Sequence, residues 1–262
     1  MVNWFKKKQE EKFVHPMMSH GTQRMLENME KENEKLHEAI MGSSTPELKG
    51  LAHMMNDDFN NRVAVKVDWA MVQLFERRIA EFFGAPYAVA VDSCTHGLEL
   101  CLRLMSVDCI TCPVNTYLSV PMLANKLRIE LRWHHPHWKN YYWITNDIID
   151  AAVLWRKYSY IPGSLMCLSF QYQKHLSLGR GGMILCPDEA SYNQLKKMSY
   201  DGRLPGIPWR EQDIDTMGYH YYMTPETAQL GLDKLQAAID TPPRIWSWED
   251  YPDLTKMKLW AK

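Results

Sequence analysis

The sequence carries almost no net charge, because 30 lysine and arginine residues nearly balance 31 aspartate and glutamate residues. Without a basic stripe, nucleic acid and anionic membrane surfaces are not expected as partners. No apolar run approaches the roughly 20 residues of a membrane-spanning helix. The first residues, Met1–Lys12, are polar and lysine-rich and lack the apolar core of a signal peptide. These absences predict a cytoplasmic protein.

Cysteine is also sparse, with six residues among 262, most of them inside apolar runs. That placement favours reduced thiols, as expected in the cytoplasm. Cys109 and Cys112 form a single C-x-x-C pair, and His134, His135 and His137 follow it, but no second C-x-x-C is present. A metal site is therefore the weaker interpretation, and we expect the cysteine pair to belong to a strand that ends at proline.

A chain of 262 residues can form one large domain or two modest ones, and no internal repeat or low-complexity segment is visible in it. Residues 1–60 are predicted to be a tail and a helical extension. Within them, residues 22–41 are heavily charged, with apolar residues near one side. This pattern indicates either a surface helix or a helix used in dimer contacts.

The most informative stretch is 165–186, where two short apolar runs enclose a polar loop that carries Lys174 and three glycines. Short apolar runs bounded by turn residues favour two buried strands over a helix. A lysine held among apolar strands has its ammonium form disfavoured, so its free amine can condense with an aldehyde. The alternative is a lysine whose charged end simply reaches water past its apolar stem.

A strand, turn and helix unit precedes this loop. Helical spacing predicts a helix over 69–83 closed by Gly84, then a buried strand at Tyr87–Val91. The turn Asp92–Gly97 leads into a second predicted helix at Leu98–Met105. Free backbone N–H groups and the helix dipole make such a turn a natural phosphate cradle. An ordinary connection between a strand and a helix is the alternative.

The Lys174 loop resembles the Schiff-base segment of the DegT-type sugar aminotransferases, which depend on pyridoxal 5'-phosphate (PLP). That segment reads Ser-Phe-His, two residues, Lys and then a Gly-x-Gly-Gly turn. Here the corresponding residues are SFQYQK (169–174) and GRGG (179–182), so only Gln171 departs. The resemblance implies that Lys174 forms the Schiff base and shuttles a proton, that Ser169 holds the phosphate, and that Gln171 belongs to the cofactor site.

Further motifs stand in the family's order. Ser93, Cys94 and Thr95 take the place of its Ser-Gly-Thr phosphate turn, although cysteine allows less close backbone approach than glycine. Tyr117 ends a Pro-x-x-Thr-aromatic motif, whose ring stacks on the cofactor. Asp150 matches the aspartate that keeps the pyridine nitrogen protonated, which makes the ring an electron sink. Otherwise Tyr117 is an ordinary half-buried tyrosine, and Asp150 caps the next helix.

The loop GYHYYMT (218–224) resembles the family's Gly-Tyr-Asn-Tyr-Arg-Met-Ser. There the asparagine reaches the phosphate of the neighbouring subunit. In this chain His220 takes that position, and Tyr222 replaces the arginine. The resemblance implies a homodimer with each site at the interface. We also expect Tyr219, Tyr221, Tyr222 and Met223 to form an exposed apolar patch covered by the second subunit.

The resemblance covers about residues 70–240, with two losses. The chain between Trp133 and Ile144 lacks a long stretch that forms an additional part of the sheet, and a short tail, 241–262, stands where the family has its small C-terminal domain. Val153 occupies a position that usually holds glutamine or histidine beside the cofactor. We therefore predict an α/β fold over 61–240, a mostly parallel sheet flanked by helices that resembles a reduced large domain of the fold-type I PLP-dependent aminotransferases.

The function implied by the resemblance is transfer of an amino group from glutamate to a nucleotide-linked keto sugar, with PLP as cofactor and Lys174 and Asp150 as catalytic residues. The alternative is a catalytically silent PLP-binding or scaffold homodimer that has lost the substrate domain. The retained Lys174 and Asp150 favour the enzyme, whereas the loss of the small domain favours the silent protein.

Overall fold

The structure is a computed structural model that describes Lys31 and residues 69–261. The chain divides into two units at Ala64 and Val65, and the fold below belongs to the second, Val65–Lys262. Apart from Lys31, which is helical, the predicted helix at 22–41 lies outside the described residues. None of the described helices is both long and apolar enough to span a bilayer.

The first described helix, α1, covers residues 69–83 as predicted, and Gly84 follows it with a left-handed φ of 77°. Its buried side chains recur at helical spacing, as in Val72, Phe75 and Ile79. The strand β1 follows at Tyr87–Val91, with four of its five residues buried. The local sequence pattern therefore predicts both elements, the amphipathic helix α1 and the buried strand β1.

Six further strands and four further α-helices follow β1 among the described residues. In chain order they are α2 (Cys94–Leu104), β2 (Cys109–Pro113), α3 (Ser119–Leu127), β3 (Glu130–His134), β4 (Tyr142–Trp143), β5 (Ile148–Asp150), β6 (Leu165–Ser169), β7 (Gly182–Cys186), α4 (Glu189–Ser199) and α5 (Pro225–Asp240). Three single 3-10 turns lie at Trp209–Glu211, Trp248–Asp250 and Leu254–Lys256.

The α/β class is confirmed, and the sheet is mixed. Five strands pair in the order β1-β7-β6-β5-β4, while β2 and β3 form a separate parallel pair. Only β5 and β6 are parallel within the larger sheet; its other three pairings are antiparallel. The predicted mostly parallel arrangement therefore needs correction. The reason is local: Phe170 N–H donates to Gly181 O at 2.9 Å, which turns β6 back into β7 as a hairpin.

Two apolar clusters lie on opposite faces of the larger sheet. Strand β7 displays the alternation, because Met183 and Leu185 face one cluster while Ile184 and Cys186 face the other. Helices α1 and α5 supply side chains to the first cluster, and α2 and α4 supply side chains to the second. The loops at the ends of β5, β6 and β1 are thereby held by a core that is packed on both faces.

Helix α5 begins at Pro225, where the Thr224 side chain accepts a hydrogen bond from Thr227 N–H and caps the first turn. Ala228 and Leu235 are buried on the inner face of this helix, whereas Ile239 is 37% exposed. The helix ends at Asp240. The residues that follow it, 241–261, contact the loops after β2 and β3.

Candidate active site

A cavity of about 440 Å³ lies at the ends of β5 and β6 and beside the first turn of α2. Its size is that of a small-molecule site, for which about 300–1,000 Å³ is usual. Eight of the nine predicted site residues line it: Ser93, Cys94, Thr95, Tyr117, Asp150, Ser169, Gln171 and Lys174. The ninth, His220, does not line it. Residues far apart in sequence are therefore brought together around one space.

The first turn of α2 forms one end of this cavity. Ser93 is the N-cap residue, and its Oγ accepts a hydrogen bond from His96 N–H at 3.2 Å. Thr95 Oγ1 and Ser119 Oγ lie 2.8 Å apart, so two hydroxyl groups meet at the cavity wall. The first N–H groups of a helix have no intrahelical acceptor and carry the positive end of its dipole. This end of the cavity is suited to an anion.

A close backbone contact holds that turn in place. Ser93 pairs with Gly181 in an isolated parallel bridge, and the next residue, Gly182, opens β7. A Cβ atom at Gly182 would lie 2.5 Å from both Cys94 N and Ser93 C, which no side chain permits. Only glycine allows this approach, so the GRGG motif positions the turn between β1 and α2 as well as shaping the Lys174 loop.

Cys94, the departure from the family's glycine, is accommodated by its helical position. It is the first residue of α2 and is not among the described residues with a left-handed φ. Its Sγ points into the core, where it donates to Cys167 O at 3.6 Å. Burial raises the pKa of the Cys94 thiol well above its ordinary value, so the group stays neutral. Cysteine at this position therefore leaves the backbone N–H groups of the first turn of α2 unobstructed.

Lys174 is held at the opposite wall by a well-connected loop. Its backbone N–H donates to Gln171 O at 2.8 Å, and Leu178 N–H donates to Phe170 O at 2.9 Å. The side chain is half-buried, and its Nζ lies 5.6 Å from the centroid of the Trp246 ring. Burial lowers the pKa of Lys174, against the opposing influence of Cys94 and Asp150. The amine thus faces the cavity at a position where burial disfavours its charged form.

Asp150 ends β5 and is only 5% exposed. Its Oδ1 accepts a hydrogen bond from Ala152 N–H at 2.9 Å, and its Oδ2 accepts one from the Tyr142 hydroxyl at 2.5 Å. Burial raises the pKa of Asp150, whereas these two hydrogen bonds and the charge of Lys174 act in the opposite direction. The residues after Asp150 form turns up to β6, so the helix-cap interpretation is wrong.

Several cavity residues were not identified from the sequence. Tyr142 and Trp138 come from the segment between β3 and β5, which contains no recognisable motif. Arg180 comes from the GRGG turn, and its Nη2 lies 2.7 Å from Asp92 Oδ2. An arginine beside a small-residue turn is a signal that could have marked it. For Tyr142 the sequence offers no signal, because only its strand pairing brings it near Asp150.

The C-terminal segment, residues 241–261, also reaches the cavity through Trp246, Asp250 and Tyr251. It is fastened by backbone contacts: Asn140 N–H donates to Trp246 O at 2.8 Å, and Leu254 N–H donates to Val114 O at 2.8 Å. The predicted short tail therefore packs against the loops after β2 and β3 and supplies part of the cavity wall.

The loop at 218–223 differs from expectation. Met223 is buried, at 1% exposure, and the three tyrosines are half-buried within their own chain. Tyr221, for instance, stacks on His96 with the ring centroids 3.7 Å apart. The expectation that these residues form an exposed patch is wrong. His220 is exposed, and its Nδ1 lies 3.0 Å from Asp201 Oδ2.

No group of three or more His, Cys, Asp or Glu side chains that could hold a metal occurs in the part of the chain that the structure describes. Cys109 and Cys112 both lie on β2, at the first and fourth residues of the strand.

Comparison with known proteins gives one family match. The model of the DegT/DnrJ/EryC1/StrS aminotransferase family matches residues 64–142 and 161–242, which together make up more than half of the chain. The match leaves out 143–160, around Asp150, and everything after 242. No curated protein sequence matches the chain at a significant level.

Solved structures resemble the chain in fold. A Bacillus cereus protein assigned as a PLP-dependent aminotransferase is 17% identical, with a TM-score of 0.54 over 65% of this chain and 59% of its own. The sugar aminotransferase CalS13 from Micromonospora echinospora is 14% identical, with a TM-score of 0.54 over 79% of this chain and 66% of its own. DesV from S. venezuelae is 15% identical, with a TM-score of 0.52 over 82% and 65%. The chain thus spans less than two thirds of the Bacillus cereus protein.

Proposed function

Because the chain belongs to the DegT/DnrJ/EryC1/StrS aminotransferase family, we propose that it is a PLP-dependent aminotransferase. One observation carries the proposal: Lys174, Asp150 and a helix N-terminus with converging hydroxyl groups line the same cavity. An amine, a carboxylate and an anion cradle are the three groups that an aldehyde-bearing pyridine phosphate requires.

The residues around the cavity fit this cofactor. Ser93, Thr95 and Ser169 are our candidates for holding the phosphate at the N-terminus of α2, where the close packing of Gly182 keeps the turn in place. Tyr117 is the candidate for the stacking ring, and Gln171 lines the same wall. Further phosphate ligands of suitable chemistry are Ser119, through its hydroxyl, and Arg180, through its guanidinium.

The roles of the chain's own groups follow from their surroundings. PLP, when bound, supplies an aldehyde for amines and a ring that withdraws electrons. Lys174 would offer its amine to that aldehyde and afterwards hold or move the proton of the substrate carbon at its Nζ. Asp150, nearly excluded from water, would bind a protonated pyridine nitrogen through its carboxylate.

The substrates follow by analogy. We propose glutamate as amino donor and a nucleotide-linked keto sugar as acceptor, which is supported by the family and by neighbours such as the sugar aminotransferase CalS13. The six cysteines of the described residues are all free thiols, which supports a cytoplasmic location.

A direct test is to supply PLP to the purified protein, reduce it with borohydride and map the labelled peptide. We expect a yellow protein whose single adduct lies on Lys174, and we expect excess glutamate to bleach the unreduced form as the amino group is transferred. A label on another lysine, or on none, contradicts the assignment of Lys174. A labelled protein that no amino donor bleaches supports the silent PLP-binding protein instead.

We further propose a homodimer in which His220 completes the partner's phosphate site. Support comes from exposed apolar side chains near this loop: Leu204, Ile207, Trp209, Ile214 and Met217. His220 is itself exposed and away from its own cavity. Twofold symmetry is the commonest arrangement of soluble homo-oligomers.

His220→Ala is therefore expected to weaken PLP retention by about tenfold, the value of one hydrogen bond to a charged group. Dialysis of the loaded protein, followed by the visible absorbance, measures the effect, and His135→Ala, an exposed histidine on another loop, is the control. Sedimentation at low concentration checks the assembly. A stable monomer that still binds PLP contradicts the proposal, as does unchanged retention in the His220 variant.

A further inference from the structure

The hydrogen bonds that hold Asp150 involve a tyrosine that the family motifs do not contain. Tyr142 is the first residue of β4, and the antiparallel pairing of β4 with β5 places it directly opposite Asp150. Its side chain is buried, and its hydroxyl is 2.5 Å from Asp150 Oδ2 and 2.5 Å from Thr116 Oγ1. A buried carboxylate is therefore linked through a phenol to the Pro-x-x-Thr-aromatic motif.

The direction of these two hydrogen bonds follows when Asp150 is ionised. A carboxylate only accepts hydrogen bonds, so the single proton of the Tyr142 hydroxyl is donated to Asp150 Oδ2. Thr116 must then donate its own proton to the Tyr142 oxygen. Successive bonds of this kind polarise one another where the local dielectric is low, which strengthens the bond that reaches Asp150. Thr116 and Tyr142 are both buried, so the bonds do not compete with solvent.

The groups around Asp150 show which of them can orient its carboxyl group. Val153 stands three residues after Asp150, and its apolar side chain offers the carboxylate no hydrogen bond. Ala152 N–H occupies Oδ1 and Tyr142 occupies Oδ2, which fixes the plane of the carboxyl group toward the cavity. The other titratable groups that act on Asp150 or feel its charge are Lys174, Cys94, Cys112, Cys167 and Tyr251.

We propose that Tyr142, with Thr116 behind it, is a positioning residue that orients Asp150 toward the cofactor's ring and stabilises its anionic form. Asp150 is the group that touches the ring, and Tyr142 acts through it. The role of Tyr142 in PLP chemistry rests on the function proposed above. Its hydrogen bond to Asp150 does not depend on that function.

The effect of Tyr142 on the Asp150 carboxyl group is tested without cofactor. A ¹³C NMR titration follows the carboxyl carbon of Asp150, identified by its absence from the Asp150→Asn spectrum. Tyr142→Phe is expected to raise the pKa of this carboxyl by about one unit, a tenfold change in proton affinity. Thr116→Val is expected to shift it less and in the same direction. Tyr160→Phe is the control, because its hydroxyl donates to Ser164 O away from the cavity. An unchanged pKa in Tyr142→Phe and Thr116→Val overturns the proposal.

The functional role is tested with a double-mutant cycle on the PLP-loaded protein. Tyr142→Phe is expected to slow bleaching by the amino donor by about tenfold or more at saturating donor, as loss of a hydrogen bond to a charged group predicts. In the Asp150→Asn background the same change is expected to have no further effect, because Tyr142 acts through Asp150. An equal loss in both backgrounds overturns this role. A parent protein that takes up no PLP contradicts the proposed function alone, because the cofactor-free titration still decides whether Tyr142 holds Asp150.

Discussion

Replacement of Lys174 by alanine is expected to abolish covalent attachment of PLP and to slow transfer of the donor's amino group by about 10²–10⁴-fold, the usual contribution of a positioned acid-base group. The reason is geometric: Lys174 is the lysine that lines the 440 Å³ cavity, and the loop that carries it is fixed by backbone hydrogen bonds. Borohydride reduction and mass spectrometry measure the attachment, and loss of visible colour on adding donor measures the transfer.

The matched control is Lys234→Ala. Its Nζ donates to Ser177 O at 2.9 Å, so it contacts the same loop from outside the cavity. We expect attachment and transfer to be unchanged in this variant. Attachment at the parental level in Lys174→Ala contradicts the assignment, whereas loss of attachment in both variants indicates that the loop, and not its amine, was disturbed.

The stability of Lys174→Ala provides a separate check. Burial lowers the pKa of Lys174 in the native protein, so this lysine costs native stability at every pH below its unfolded pKa of about 10.4. At pH 7 this cost is present, and alanine removes it. Tm at pH 7 is therefore expected to be equal to or above that of the parent, as is common when a group is placed for function at the expense of stability.

The fold was predictable where one local pattern determines an element. Strand β1 was predicted at its observed bounds because its apolar run is short and bounded by turn residues, and α1 because its apolar stripe is long. Helix α2 was expected from Leu98, yet it begins at Cys94. The Ser93 side chain supplies the cap that lets the helix start a turn earlier, and a small polar turn gives no hydrophobic signal for this.

The site was predictable only as far as contiguous motifs extend. Lys174 and Thr95 lie in short segments with recognisable spacing, and both line the cavity. Tyr142 and Trp246 line it as well, but each is brought there by contacts with residues distant in sequence. Tyr142 depends on the register of β4 against β5, and Trp246 on the hydrogen bond from Asn140 N–H to its carbonyl. Pairings of this kind have no signature in a single sequence.

Asp150→Asn is expected to leave PLP attached to Lys174 but to slow the transfer of the amino group by about 10²–10³-fold, as loss of one preorganised electrostatic partner typically does. Asparagine keeps the shape of the side chain and can still accept from Tyr142, but it carries no charge to hold a protonated ring nitrogen. Asp147→Asn, at the exposed residue that precedes β5, is the control and is expected to transfer at the parental rate. If Asp150→Asn transfers the amino group at the parental rate, Asp150 has only a structural role.

The pH dependence of stability separates this charge effect from simple damage. Burial raises the pKa of Asp150 above its ordinary value, so the native state holds the proton more tightly than the unfolded chain does. The resulting cost of ionisation is absent below the unfolded pKa of about 3.9, grows as the pH rises, and is complete above the raised native pKa. Asparagine does not ionise, so the variant has no such cost. Tm of Asp150→Asn minus Tm of the parent is therefore expected to increase with pH across this window. A difference that stays constant indicates that Asp150 is ionised as easily in the native site as in water, which contradicts the buried carboxylate on which both its own role and that of Tyr142 depend.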